Sequence, residues 1–152
     1  MATTIPGRSE MGGRKSMNER NPIMAKFLSG LSVELLDADS VWLVTRPLKY
    51  QSDILGYIEV PMGFQTDFAS VPRIPIAYEL FGDKAHRESV LHDYLYRCDS
   101  TPPATYSQAN NVFLEAMKER GKGFFVRWAM YAGVVAGGWT AYHKKKVADI
   151  LI

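Results

Sequence analysis

Cysteine is almost absent from this chain, which has 152 residues and a single thiol, Cys98. One cysteine excludes an intrachain disulfide, and it excludes a zinc site built on two thiolates of the same chain. Such scarcity is typical of proteins from reducing compartments. A chain of this length buries about two-thirds of its unfolded surface when it folds. We therefore expect one domain that folds without a covalent crosslink.

Several catalytic and targeting motifs are missing as well. The sequence has no GxxxxGK[ST], GxSxG or HExxH pattern, which disfavours P-loop, α/β-hydrolase and zinc-protease chemistry. The N-terminal residues lack the apolar segment of a secretory signal. The stretch 128–142 is uncharged over 15 residues, whereas a membrane-spanning helix needs about 20. We interpret it as a buried helix, although Trp128, Tyr131, Trp139 and Tyr142 also suit a membrane surface.

The net charge of +2 hides an uneven distribution. Residues 1–26 carry five basic and two acidic side chains, residues 27–117 six and twelve, and residues 118–152 seven and two. Basic ends can contact phosphates or an acidic protein, or they can be solvated termini. Because no basic stripe lies along one predicted face, specific nucleic-acid binding is not expected. The predicted organisation is a flexible basic arm over 1–25, a globular domain over 26–145 and a tail over 146–152.

Hydrophobic periodicity changes from strand-like to helical along the chain. Short runs rich in Val, Ile, Leu, Tyr or Trp come first, then an irregular stretch over 61–82, and then amphipathic segments. The predicted fold class is α+β, with a small N-terminal antiparallel β-meander followed by an antiparallel helix hairpin and a third C-terminal helix. The predicted strands are 31–36, 41–46 and 55–60, and the predicted helices are 84–97, 107–120 and 124–145.

His92 and Asp93 are the strongest candidates for chemistry. On a helix, Ser89, His92 and Tyr96 share one face, and an imidazole there can act as a general base. A base needs an orienting acceptor, and the short link to the next helix brings Asn110 or Asn111 within reach. The alternative is a structural histidine that joins two helices by a hydrogen bond.

A second candidate block is Gly63-Phe64-Gln65-Thr66-Asp67-Phe68-Ala69-Ser70-Val71-Pro72-Arg73. Its Thr66, Asp67 and Ser70 can bond nearby backbone amides and so shape a tight turn. Asp67 can instead help to hold a cation or orient His92. We predict that Asp67 is partly buried and lies close to His92, since buried carboxylates need partners.

GFQTDFASVPR and the later AHRESVLHDYLYRC together resemble a small family of phage and prophage proteins with GFxTDFASVPR and HDxLY blocks. The resemblance spans about residues 26–142 and implies a bacteriophage origin. For a protein of phage origin, one hypothesis is a non-enzymatic virion component of the tail or head–tail region, made in the host cytoplasm, with other virion proteins as partners and no required cofactor. The matching motif residues Asp67, Ser70, Arg73 and Tyr94 then have structural roles.

The HDxxY helix and its partner are also similar to the core of phospholipase A2-like enzymes. That resemblance implies His92 as general base, Asp93 as calcium ligand and Asn110 as the orienting residue, with Tyr96 completing the motif. Asp67 and Gly63 would replace the missing glycine-rich calcium loop. The implied activity is a calcium-assisted esterase acting on phospholipid of the host envelope.

Asn110 stands where such enzymes carry an acid, and an amide cannot stabilise an imidazolium as a carboxylate does. This departure favours the virion component as the function and leaves the esterase as the alternative. An HD-type metal phosphohydrolase ranks last, because it needs a further histidine and aspartate on separate helices and only His86 is at hand.

Overall fold

The computed structural model describes residues 24–36, 40–68 and 85–151. In these ranges short strands precede helices, which confirms the predicted α+β class. The predicted flexible arm lies outside the described residues except for its last two positions, and Ser70 and Arg73 lie outside them as well. The described elements are β1 Lys26–Phe27, β2 Val33–Leu35, β3 Trp42–Val44, β4 Leu48–Ser52, β5 Gly56–Val60, β6 Gln65–Thr66, α1 His86–Leu95, α2 Tyr106–Glu119, α3 Phe124–Gly137 and a 3₁₀ turn Gly138–Thr140.

The strands form two antiparallel three-stranded sheets, with orders β1-β4-β5 and β2-β3-β6. In the first sheet Tyr50 lies opposite Ile58, and both are fully buried. In the second, Trp42 lies opposite Thr66 at the end of β6. The predicted meander thus divides into two sheets, because β3 pairs with β6 while β4 pairs with β1 and β5. Thr66 is thereby fixed by the pairing of β6.

The helices α1 and α2 form the predicted antiparallel hairpin. The Glu88 carboxylate near the start of α1 lies 3.8 Å from Arg120 Nε, just after α2 ends. Thr105 and Gln108 start α2 with a reciprocal capping box, which satisfies amides that a helix end leaves unpaired. Gly121, at φ 68°, follows the end of α2, where glycine adopts the left-handed conformation without steric cost.

The third helix differs from its prediction in length and in burial. It ends at Gly137 rather than Lys145, because two consecutive glycines are poor helix formers. The chain then returns to α1, where the His143 amide donates to the Tyr96 carbonyl at 2.8 Å. The buried-helix interpretation is wrong: within α3 only Met130 and Val134 are buried. No helix in the described part of the chain is long and apolar enough to cross a membrane.

Two clusters of buried side chains form the described core. The larger lies between the β1-β4-β5 sheet and the hairpin, and includes Tyr50, Ile58, Phe64, Leu91 and Leu95. The smaller joins α2 to α3 and consists of Ala85, Phe113, Met117, Met130 and Val134. Helix α1 therefore lies between a sheet and a helix, and its residue His92 is placed in the interior.

Candidate functional site

The site is centred on a buried hydrogen-bond network between α1 and α2. His92 is 1% exposed, and its Nε2 lies 2.8 Å from Asn110 Oδ1. The Tyr96 hydroxyl donates to the same oxygen at 2.7 Å. Because Asn110 Oδ1 accepts both bonds, His92 carries its proton on Nε2. The structure thus brings together the sequence-predicted residues His92, Tyr96 and Asn110. His92 lies in the last turn of α1, Tyr96 directly follows that helix, and both bind Asn110 of α2.

Burial determines the charge of His92. It lowers the pKa of His92 to about 4, against a weaker opposing effect of the hydrogen bond to Asn110. His92 Nδ1 lies 4.0 Å from Asp93 Oδ1, but since the ring is neutral near pH 7 this contact is not a charge pair. A base works best when its pKa is close to the working pH. His92 is therefore poorly tuned to accept a proton at neutral pH.

Asp93 joins α1 to the second sheet. Its side chain is 12% exposed, and Oδ2 accepts a 2.5 Å hydrogen bond from the Thr66 hydroxyl. Thr66 Oγ1 in turn accepts from the Phe68 amide at 3.1 Å. Phe68 has a φ of 52°, a conformation that is unusual for a bulky residue. The Thr66 hydroxyl therefore holds the helix by donating to Asp93 and the strained turn by accepting from Phe68.

An open cavity of about 290 Å³ adjoins the network. Asp67 is half-buried and lines this cavity together with Asp93 and Tyr96. His92 and Asn110 are not among its lining residues. The complete described lining is Asp67, Asp93, Tyr96, Arg97, Thr140, Ala141, Lys144, Lys145 and Leu151.

Sequence reasoning missed the three cations of this cavity. Arg97 is 6% exposed; its Nη2 donates to the Gln65 carbonyl at 3.2 Å, and its guanidinium lies 5.1 Å from the centre of the Phe64 ring. Burial lowers the pKa of Arg97, and nearby carboxylates oppose this effect. Lys144 and Lys145 reach the cavity only because α3 ends early. No local pattern could have placed them there.

The donor set of the described residues does not fit calcium. Calcium takes six to eight oxygen ligands, whereas the described cavity offers the carboxylates of Asp67 and Asp93 beside three cations. The described residues contain no group of three or more His, Cys, Asp or Glu side chains able to hold a metal ion. Gly63 is exposed in the β5–β6 turn, where its amide donates to the Val44 carbonyl, and it does not line the cavity.

Tyr94, the remaining described motif residue, has a position suited to packing. Its hydroxyl donates to the Thr101 carbonyl at 3.2 Å and accepts from the Thr101 amide at 3.0 Å. Its ring meets Phe64 edge-on, with 5.7 Å between centroids. Tyr94 thus fastens the loop after α1 to the larger core cluster.

The buried, neutral His92 predicts a specific loss of stability in acid. The pKa of His92 is about 4 in the folded state, against an ordinary 6.5. Above pH 6.5 His92 is neutral in both states and the stability of the fold is complete. As the pH falls from 6.5 towards 4, the unfolded chain binds a proton that the folded chain does not, and stability is lost. The full loss is on the order of 3 kcal/mol. Denaturant unfolding at several pH values should show this fall for the wild type. The His92→Gln variant should lack the part of this fall that His92 causes. If the unfolding free energies of the wild type and the variant fell in parallel with pH, the prediction would be wrong.

Comparison with known protein families identifies a match for most of the described chain. Residues 42–134 match the model of the family described as Protein of unknown function (DUF1353). The matched range begins in β3, ends in α3 and contains every described residue of the network. No curated protein and no solved structure matches the chain.

Proposed function

Because the chain belongs to the DUF1353 family, whose description assigns no activity, we propose its function from the site geometry. We propose that it is a structural or accessory component of a bacteriophage virion, in the tail or head–tail region. In this proposal it works by binding other virion proteins. The network of His92, Asn110 and Tyr96 holds α1 and α2 together and catalyses no reaction.

The observation that carries this proposal is that the polar groups of the network are buried and are paired with one another. His92 and Asn110 are each 1% exposed, and Asn110 Oδ1 accepts from both His92 and Tyr96. Paired polar groups in an interior fix the relative position of the elements that carry them. The phage part of the proposal rests on the resemblance of the GFQTDFASVPR and HDYLY blocks.

One observation favours the phospholipase A2-like alternative. His92 Nε2 contacts Asn110 while Nδ1 faces the Asp93 side, which is the arrangement implied by that resemblance. Three findings weigh against it: the orienting residue is an amide, His92 does not line the cavity, and the donors among the described residues do not fit calcium. The esterase therefore remains the second candidate.

Particle association tests the proposed function. We expect the chain to co-purify with phage particles from a lysate of the host that carries its gene, as detected by immunoblot across a density gradient. A host cytoplasmic protein of similar mass should stay in the particle-free fractions. If the chain stays with that marker, the virion assignment is wrong.

A phage carrying His92→Gln separates binding from catalysis. Glutamine keeps an N–H donor for Asn110 but cannot act as a general base. We expect normal incorporation of this variant and near-normal infectivity. If the variant were incorporated normally into particles but the phage lost infectivity, His92 would have more than a structural role and the proposal would be wrong.

A further inference from the structure

The outward face of α3 and its following turn is apolar along its whole length. Large side chains there repeat at helical spacing, and small Ala132 and Ala136, also exposed, lie between them. We call this surface the aromatic face. Its residues and exposed fractions are Phe124 59%, Phe125 84%, Trp128 47%, Val135 41% and Trp139 67%.

Basic residues lie at both ends of the aromatic face. Residues 120–148 contain six basic side chains and no acidic one. After the face, the rings of Trp139 and Tyr142 stack with centroids 6.3 Å apart, and those of Tyr142 and His143 with centroids 3.8 Å apart. This stack leads directly into the exposed lysines 144–146, here called the lysine run. The apolar surface and the positive charge are therefore contiguous.

The combination of exposed aromatic rings and adjacent positive charge indicates which kind of partner this surface binds. A helix with Trp and Phe on one face and Lys or Arg beside it lies in the plane of a membrane interface and is attracted by anionic lipids. Helix α3 has 14 residues, about 21 Å in length, which suits lying on a membrane rather than crossing it.

We propose that the aromatic face and the lysine run together dock on a membrane surface that contains anionic phospholipid. In this arrangement Phe125 and Trp128 enter the boundary between headgroups and acyl chains, while the lysine run contacts the phosphates. The docking surface does not include His92 or its network. The inference therefore goes beyond the proposed function and does not depend on it.

Vesicle flotation with the full-length chain tests the proposal. We expect binding to vesicles of phosphatidylglycerol mixed with phosphatidylcholine, and weaker binding to pure phosphatidylcholine or at high salt. Phe125→Ser should weaken binding by about tenfold, since it removes an aromatic ring that is exposed in the free protein and becomes buried in the membrane on docking. Lys146→Glu, at a lysine of the run that does not line the cavity, should reduce binding to the anionic vesicles only. Brominated lipid should quench tryptophan fluorescence in the wild type.

Met62→Ser is the matched control, because Met62 is 69% exposed in the β5–β6 turn and is not part of the aromatic face. It should bind vesicles as the wild type does, and all variants should keep the wild-type melting temperature. Equal binding by Phe125→Ser and the wild type would overturn the proposal. The proposal would also be overturned if the chain did not bind vesicles and Phe125 were instead needed for dimerisation or for binding an oligonucleotide.

Discussion

Replacement of Asn110 by alanine is expected to destabilise the chain by about 2–5 kcal/mol. The change leaves the His92 Nε2–H and the Tyr96 hydroxyl without their shared acceptor, and each unpaired buried polar group costs about 1–3 kcal/mol. Both donors lie among packed aromatic rings. The centroid of the His92 ring is 4.0 Å from that of Tyr96 and 5.0 Å from that of Phe113. Urea unfolding followed by circular dichroism measures the loss.

Asn111→Ala is the matched control for Asn110→Ala. Asn111 is the next residue of α2, but it is exposed and accepts a hydrogen bond from Tyr131 on the protein surface. Its replacement should change stability by less than about 1 kcal/mol, as surface substitutions usually do. Equal losses for Asn110→Ala and Asn111→Ala would mean that the network does not hold the hairpin together.

The helix hairpin was predictable from local sequence, and so was the placement of His92 opposite Asn110 or Asn111. Helical periodicity in both segments and the short link containing Pro102 and Pro103 require the second helix to run back along the first. The spacing of His92 and Tyr96 then places both on the face turned to α2. Burial was not predictable, because it depends on the sheet that packs behind α1.

The cavity was not predictable, because residues distant in sequence form it. Gly133 and Gly137 fit a close-packing pattern in a continuous helix, whereas the chain instead ends α3 at Gly137 and folds back onto α1. That return is fixed by long-range bonds, such as the one from the Cys98 amide to the Lys145 carbonyl at 3.0 Å. Residues 48–52 are not among the predicted strands, because Pro47 and the Ser52-Asp53 pair are typical of a connection, whereas β4 forms by pairing with β1 and β5.

The unaltered chain is expected to show no phospholipid hydrolysis. Replacing an orienting carboxylate by an amide costs on the order of 10⁴-fold in a comparable catalytic dyad. Here the amide is Asn110, which supplies no charge to stabilise a protonated His92. Burial further lowers the pKa of His92 to about 4, and the described donor set does not fit calcium.

Asn110→Asp distinguishes a degraded esterase from a structural network. If the site were a weakened enzyme, a carboxylate at this position would restore charge stabilisation and raise the rate toward that 10⁴-fold limit. If the network is structural, the substitution places a buried charge beside His92 and adds no turnover. We expect the second result, with the folded state of the variant verified by circular dichroism.

The most direct test of the structural role of His92 is fatty-acid release from phospholipid vesicles, measured with calcium present for the wild type, His92→Gln and Asn110→Asp. The account predicts no release by the wild type above that by His92→Gln, and no gain with Asn110→Asp. Robust calcium-dependent release by the wild type, abolished in a folded His92→Gln variant, would contradict it.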